Sequence, residues 1–370
     1  MPGKAVRLAI NGRFLAQPIS GVQRYGRELI RALDAVLSRA PRGPVASVVV
    51  WVPAKVSQDA LPERPKFLKI QQAGRFSGHL WEQVELPRLA GDALLVSLTN
   101  SAPLLHPRQI VAIHDAAIAE HPADFKWRYR AWYNGLYAGL RWTPAHFISV
   151  STFAAAELTR HFNIAGERIS IVPNAAGHLL DLEPDYTVLR RMGLRKQGYI
   201  LAVGGRSRRK NLAILEKAVA GYEECPPLVI AGGGESRAFA ASGPSRSSRC
   251  VLLGHVSDGA MKALYQGALC LVFPSRYEGF GLPPLEAMAC GCPVVTSRAA
   301  SMPEVCGDAA LYCDPDRPET VEGNIRLVVA DATLRTKLIA SGLERARLFS
   351  WEASARKLLD LACQEAHPSA

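Results

Sequence analysis

Two carboxylates with seven residues between them, Glu278 and Glu286, frame the stretch Glu278-Gly-Phe-Gly-Leu-Pro-Pro-Leu-Glu286. Gly279 and Gly281 allow backbone amides to approach a ligand closely, with Phe280 and Leu282 in the same loop. Pro283 and Pro284 suit the first turn of a helix, where a missing N–H has no partner to lose. A helix N-terminus adds partial positive charge at that point. Together these groups can grip one polar ligand, such as a sugar with vicinal hydroxyls. Taken alone, Glu286 as a solvated helix residue and Glu278 as a loop acceptor is the alternative.

Cations stand at a second glycine loop, Gly204-Gly205-Arg206-Ser-Arg-Arg-Lys210-Asn211. Arg206 as a fork and Lys210 as a point charge are placed to meet phosphate oxygens, while Arg208 and Arg209 read as exposed. A third loop, Gly232-Gly-Gly234-Glu235, lacks the spaced glycines of dinucleotide enzymes and is a weak signal. In the first half, Ser20-Gly21 enters a helix and offers another N-terminus to an anion, or a plain turn. His114-Asp115 follows an apolar run, and an imidazole there can donate to sugar oxygens or stabilise charge, or serve structure alone.

These residues need strands behind them. Short apolar, β-branched runs occur at 6–10, 45–52, 93–98, 110–113, 147–150, 169–172, 199–203, 228–231, 251–253, 269–273 and 294–296. Helical patterns lie between them at 22–37, 127–141, 152–161, 212–222, 261–268 and 320–329. Continuous apolar strands with returning helices make parallel sheets, so the class is α/β, twice over. The charged, poorly periodic segment 174–198 separates the halves. The expected architecture is two doubly wound, Rossmann-like domains, 1–178 and 179–348, facing a deep cleft. A terminal helix within 349–370 is expected to cross back to the first domain. Ligands in such sheets bind beyond the carboxyl ends of the strands.

Composition narrows the classes. A chain of 370 residues, 48% hydrophobic and 21% charged, is neither disordered nor a disulfide scaffold, a collagen or a coiled coil. No apolar run reaches the ~18–20 residues that span a bilayer, and residues 1–14 carry no signal-peptide core, which reads as cytoplasmic. The eight cysteines all lie at or beyond Cys225 without the paired spacing of a zinc site, and read as reduced, buried hydrophobes. The net charge of +11 splits into +6 and +5 on either side of a cut after Asp185, so no basic block concentrates it. Such an excess suits polyanions or a solvated surface. A nucleic-acid binder should show one basic face and a reading module, and neither is visible. The stretch 125–142 mixes aromatics and cations, with Tyr129, Trp132, Tyr133, Leu136, Tyr137 and Leu140 at helical spacing. Either it packs on the first sheet or it touches an anionic bilayer or lipid-linked acceptor.

These stations together resemble the retaining, GT-B-fold glycosyltransferases of family 4, and most of all bacterial exopolysaccharide and O-antigen mannosyltransferases. The matching pieces are Glu278 and Glu286, Gly205-Arg206…Lys210-Asn211, His114-Asp115, Val150-Ser151, Ile171-Val-Pro-Asn174, Pro303-Glu304-Val305 and Ser350-Trp351. Asn174-Ala175 departs from the Asn-Gly of many members. The resemblance implies a nucleotide-diphosphate sugar as substrate, bound mainly by the second domain. Glu286 would hold the ribose, and Glu278 with the amides of 279–281 the sugar. Arg206 and Lys210, beside Gly205, would neutralise the leaving diphosphate. The base would lie near Val256, Gly21 would approach the phosphates, and His114 would meet the transferred sugar. Asp115 and Asn100 are outside candidates for the acceptor, a glycan or lipid-linked oligosaccharide. No metal or cofactor is expected, because these cations and the helix dipoles would do what a metal does elsewhere, and no nucleic acid is expected. GDP-mannose is the expected donor, with UDP-glucose as the alternative, and the inner face of the plasma membrane is a peripheral partner.

Overall fold

The computed structural model describes residues 5–39, 44–57, 61, 65–205, 207–233 and 250–366. They form two compact units. The first comprises the described residues up to Ala116, Ala131–Asn174 and those from Trp351 onward; the second comprises Ala117–Arg130 and the described residues of 175–350.

The first unit carries a seven-stranded parallel sheet: β1 (Val6–Asn11), β2 (Val45–Pro53), β3 (Lys69–Ala73), β4 (Leu94–Ser97), β5 (Gln109–Ala112), β6 (His146–Ser149) and β7 (Ile169–Ile171), in the order β3-β2-β1-β4-β5-β6-β7. The second carries six: β8 (Ile200–Val203), β9 (Leu228–Ala231), β10 (Cys250–Gly254), β11 (Cys270–Phe273), β12 (Val294–Ser297) and β13 (Leu311–Cys313), in the order β10-β9-β8-β11-β12-β13. Strand order reverses once in each sheet, between β1 and β4 and between β8 and β11. Such reversals send the connecting helices to opposite faces and open a crevice at the strands' carboxyl ends.

The central strands owe their position to composition. All residues of β4, β5, β9, β11 and β12 are buried, and most of them are apolar on both faces, with Ser97, Gln109, Thr296 and Ser297 at strand ends. The core around the second sheet joins Ile200, Leu228, Val272 and Val295 to Leu215, Val321 and Ile325 of the covering helices. The edge strands β3 and β13, absent from the sequence reading, are short and only half-buried. Their composition (Lys69-Ile-Gln-Gln-Ala73 and Leu311-Tyr-Cys313) carries little periodic signal, as polar or brief edges do.

The terminal helix Trp351–Ala366 belongs to the first unit. Trp351 meets Tyr25 edge-on at 5.9 Å, and the Ser354 hydroxyl donates to the Pro173 carbonyl at 2.8 Å. Tyr25 is fully buried on the helix Gly21–Arg39 and donates to the Val172 carbonyl at 3.1 Å. The segment Ala117–Arg130, which the sequence reading puts in the first domain, groups with the second unit. It is tied there by Asp124, which accepts from the amides of Arg208 and Arg209 at 3.2 and 3.3 Å, and by His121 against Tyr277.

Candidate active site

In the second unit the reversal places the loops after β8 and β11 side by side, and backbone and side-chain bonds lace them together. The Arg276 amide donates to the Arg209 carbonyl at 2.8 Å, and the Ser275 hydroxyl oxygen lies 3.2 Å from the same carbonyl. Asn211, in the left-handed region at φ 56°, donates to the Pro274 and Pro315 carbonyls. The 3-10 turn Arg208–Lys210 is thereby pressed against the loop bearing Glu278, with Asp124 capping it from the other end.

Glu278 is buried and meets the Lys210 ammonium at 2.6 Å. The Ser275 hydroxyl donates to the same carboxylate at 2.5 Å, and Arg209 stands 3.9 Å away. Ser301 donates to the Glu278 carbonyl at 2.9 Å and so pins the backbone as well. Burial alone would raise the Glu278 carboxyl, but the charges of Lys210 and Arg209 and the two hydrogen bonds outweigh it. The group is held below the ordinary carboxylate range and stays ionised.

Gly281 follows at φ 99°, a left-handed conformation that a side chain resists, and a Cβ there would collide with Met302. The chain then enters the helix Leu282–Ala289, with proline in its first turn. Phe280 turns its ring onto Phe349 at 5.5 Å, so only its backbone could serve a ligand. Glu286 is buried on this helix: His178 Nε2 donates to one carboxylate oxygen at 3.0 Å, and the Tyr265 hydroxyl to the other at 2.9 Å. Burial and the Glu286 charge keep the Tyr265 phenol protonated, well above its ordinary pKa. His178 Nδ1 is buried with no partner among the described residues. Gly205 lies on the adjacent loop, where Gly232 (φ 98°) comes so near Gly204 that a Cβ would press on its backbone at 3.3 Å. Val256 is half-buried beyond β10. Arg206, Gly234 and Glu235 lie outside the described residues.

His114 sits at the carboxyl end of β5 in the first unit. It is buried, with Nε2 2.9 Å from the Leu98 carbonyl and the ring edge-on to Tyr25 at 4.6 Å. A carbonyl only accepts, so Nε2 carries the proton and Nδ1 the lone pair. Burial drives the imidazole pKa down against the opposing pull of that bond and of Asp115, which favours the neutral ring. Asn100, at φ 61°, accepts the His114 amide on its side chain at 2.8 Å. Asn100 is thus spent at least partly on holding His114. Asp115 is half-buried, and Gly21 is exposed, with open space where a Cβ would stand.

The structure joins Lys210 to Glu278 and sets Glu286 one helical step beyond the same loop. Sequence reasoning missed His178, Tyr265, Ser275 and Asp124. Tyr265 lies within the helical pattern 261–268 with no mark of its own, and a histidine in an aperiodic segment carried no signal of a carboxylate partner.

Residues 191–345 match the family model described as glycosyl transferases group 1. The chain is 34% identical over 269 residues to O-antigen chain mannosyltransferase B of Escherichia coli, covering 66% of this chain and 67% of that protein. It is 27% identical over 240 residues to the O-antigen chain mannosyltransferase RfbU of Salmonella typhimurium, covering 64% and 65%. It also resembles the sucrose-phosphate synthase structure from Thermosynechococcus elongatus, with TM-score 0.72, 20% identity and coverage of 98% of this chain and 100% of that one. For WaaG, a glycosyltransferase involved in lipopolysaccharide biosynthesis, the values are 0.66, 17%, 96% and 99%. The paired parallel-sheet α/β domains are those of the GT-B glycosyltransferase structures.

Glu278 also makes a pH signature. Its native pKa lies below the ordinary value near 4.5, so its contribution to stability is complete above that pH and is lost as pH falls through the native value. The urea midpoint of the native chain is expected to drop between about pH 5 and about pH 3, and Glu278→Gln to drop less steeply over that range. Parallel curves would show that the carboxylate is not held by its cations.

Proposed function

This chain belongs to the group 1 glycosyltransferases, and on that premise we propose that it moves a mannosyl residue from GDP-mannose to a glycan acceptor with retention of configuration. The acceptor in this reading is a polyprenyl-diphosphate-linked oligosaccharide in surface-polysaccharide synthesis. The carrying observation is the buried Lys210–Glu278 pair at the reversal of the second sheet, with Glu286 held ready on the next helix. Mannose is supported by the relatives, which are O-antigen mannosyltransferases by name.

In the proposed reaction Glu286 accepts hydrogen bonds from the ribose hydroxyls, its orientation set by His178 and Tyr265. Glu278 and the amides of 279–281 hold the hexose, while Lys210 and Arg206 meet the diphosphate. The bond from the anomeric carbon to phosphate oxygen breaks as the acceptor oxygen bonds on the same face, and the leaving phosphate takes the acceptor's proton. Lys210, Arg206 and the helix N-terminus stabilise the negative charge that develops, so no metal is required. His114, neutral and anchored through Nε2, offers a lone pair near the electron-poor sugar. Gly21 approaches the phosphates, Val256 lies by the base, and Asp115 orients the acceptor.

A bilayer partner is supported by Trp142 (79% exposed) and Leu105 (84% exposed) in the first unit, with the Arg141 guanidinium over the Trp142 ring at 4.9 Å. Leu104 lies against Gly139, so the two leucines adjoin the end of the helix Trp127–Leu140. Tyr133, Leu136, Tyr137 and Leu140 of that helix face inward and are not available to a membrane. No helix among the described residues is long and apolar enough to cross one.

The donor test is direct. GDP should raise the melting temperature more than UDP, and GDP-mannose should be consumed in the presence of a lipid-linked oligosaccharide. A larger effect of UDP, with turnover of UDP-glucose, would transfer the reading to glucose; stabilisation by neither would end it. In the same assay His114→Ala should lower turnover by roughly 10², the scale of one positioned group, and near-native turnover would remove the residue from the mechanism. Vesicles rich in phosphatidylglycerol should retain the protein at low salt and release Trp142→Ala more readily; failure to retain the native chain excludes the bilayer.

A further inference from the structure

The first sheet has its own reversal, between β1 and β4, and a buried polar cluster stands there that the donor chemistry does not use. Asn11 ends β1, Arg13 follows it, and Ser97 ends β4. All three are buried, and they converge on Glu82, 1% exposed. Its carboxylate accepts from Asn11 Nδ2 at 2.6 Å and Arg13 Nε at 3.1 Å, and from the Ser101 hydroxyl. Asn11 also reaches the Ser97 hydroxyl at 3.3 Å. Burial pushes the Glu82 carboxyl up, but the hydrogen bonds from His79, Ser101 and Asn11 and the Arg13 charge outweigh it and hold the group below its ordinary range.

A buried ion pair is a poor source of stability, because the desolvation of both charges consumes most of what the pair returns. What this one does supply is orientation. Glu82 stands on the single π-helical turn Trp81–Glu85, a geometry common at functional sites. It turns its second oxygen to His79 Nδ1 at 3.1 Å. A carboxylate accepts, so Nδ1 donates to it, and Nε2 is turned away from the carboxylate. Nε2 has no partner among the described residues, and the His79 side chain is one-third exposed. Trp132, 40% exposed, lies against the imidazole at 4.6 Å with the rings tilted by 46°, and Tyr133 closes a further side edge-on at 5.9 Å.

We infer that His79 and Trp132 form a saccharide subsite on the first unit, which receives a sugar ring of the glycan acceptor. The inference rests on the glycan-transfer reading above for the identity of its ligand. An indole face covers the C–H side of a pyranose, and a fixed ring nitrogen beside it selects a hydroxyl, which can donate or accept. The Asn11–Arg13–Glu82–Ser101 network is the rigid base that fixes the imidazole, as the carboxylate behind a ligating histidine does. The position agrees with the rule that open α/β sheets bind ligands at the reversal point. Asn100 and Asp115, the acceptor candidates of the sequence, are not part of this cluster.

Saturation-transfer NMR on the full chain, with GDP present to occupy the nucleotide site, tests the subsite with methyl α-mannobioside and methyl α-maltoside as probes and glycerol as the polyol control. The native chain should bind at least one disaccharide and not glycerol. Trp132→Ala and His79→Ala should each weaken that binding at least tenfold, Trp132→Phe should keep most of it, and the GDP-induced rise in melting temperature should be unchanged in all three. No binding of either disaccharide by the native chain, or affinities in both alanine variants within twofold of native, overturns the subsite. If the variants lose the disaccharide but neither GDP nor UDP stabilises the native chain, the subsite stands and the donor reading fails. Loss of the nucleotide effect in the variants marks general damage to the fold and overturns the specific role.

Discussion

A carboxylate removed from water must recover its solvation from the protein, and among the buried carboxylates of the described residues Glu278, Glu286 and Glu82 impose that demand at the ends of the two sheets. Glu278 is answered by Lys210 and Ser275, Glu286 by His178 and Tyr265, and Glu82 by Arg13, Asn11, His79 and Ser101. Each answer draws partners from distant parts of the sequence, so the loops that carry them lose their freedom together. A lone buried charge would cost several kcal/mol or protonate. The lowered carboxyl ranges of Glu278 and Glu82 show that the donors win in both places.

The sheets explain why these answers lie where they do. In a parallel sheet every strand ends on the same side, and the reversal of order is the one place where adjacent loops diverge to opposite faces. Glu278 and Lys210 belong to the two loops at that place in the second sheet, and Asn11, Arg13 and Ser97 border it in the first. The same construction thus appears twice with different chemistry: a flexible ammonium and tight glycine turns in one unit, a planar guanidinium and an aromatic pair in the other. An ammonium on a flexible stem can change partners, whereas a guanidinium locked behind a carboxylate holds a shape.

Much of this was legible before any coordinates. The central strands announce themselves because burial on both faces favours continuous apolar runs, and the Glu278–Glu286 stretch combines glycines, prolines and carboxylates in one short run. What stayed hidden shares one physical cause, that the information lies in a partner far along the chain. Glu82, within Trp81-Glu-Gln-Val-Glu85, lies outside every pattern found in the sequence, and only Arg13 beside it gives it meaning. Asp124 reads as part of the first half until its bonds to the Arg208–Lys210 turn assign its segment to the second unit. His178 has no pattern around it, and only Glu286 gives it meaning. The edge strands β3 and β13 were lost for another reason: β3 is largely polar, and the three residues of β13 are too few to show a period.

The Lys210–Glu278 contact has a further consequence for the proposed reaction. Without a donor, ammonium and carboxylate neutralise each other, so neither charge is left bare in a low-dielectric pocket. A diphosphate entering beside Lys210 offers the ammonium a more highly charged anion than Glu278. As the ammonium turns to it, the Glu278 carboxylate keeps the Ser275 hydroxyl and gains lone pairs for the hydroxyls of the sugar. Donor binding then exchanges one set of charge-assisted hydrogen bonds for another instead of creating them from solvent. In the proposed reaction the pair that joins the two loops would also divide to hold the two ends of the bond to be broken.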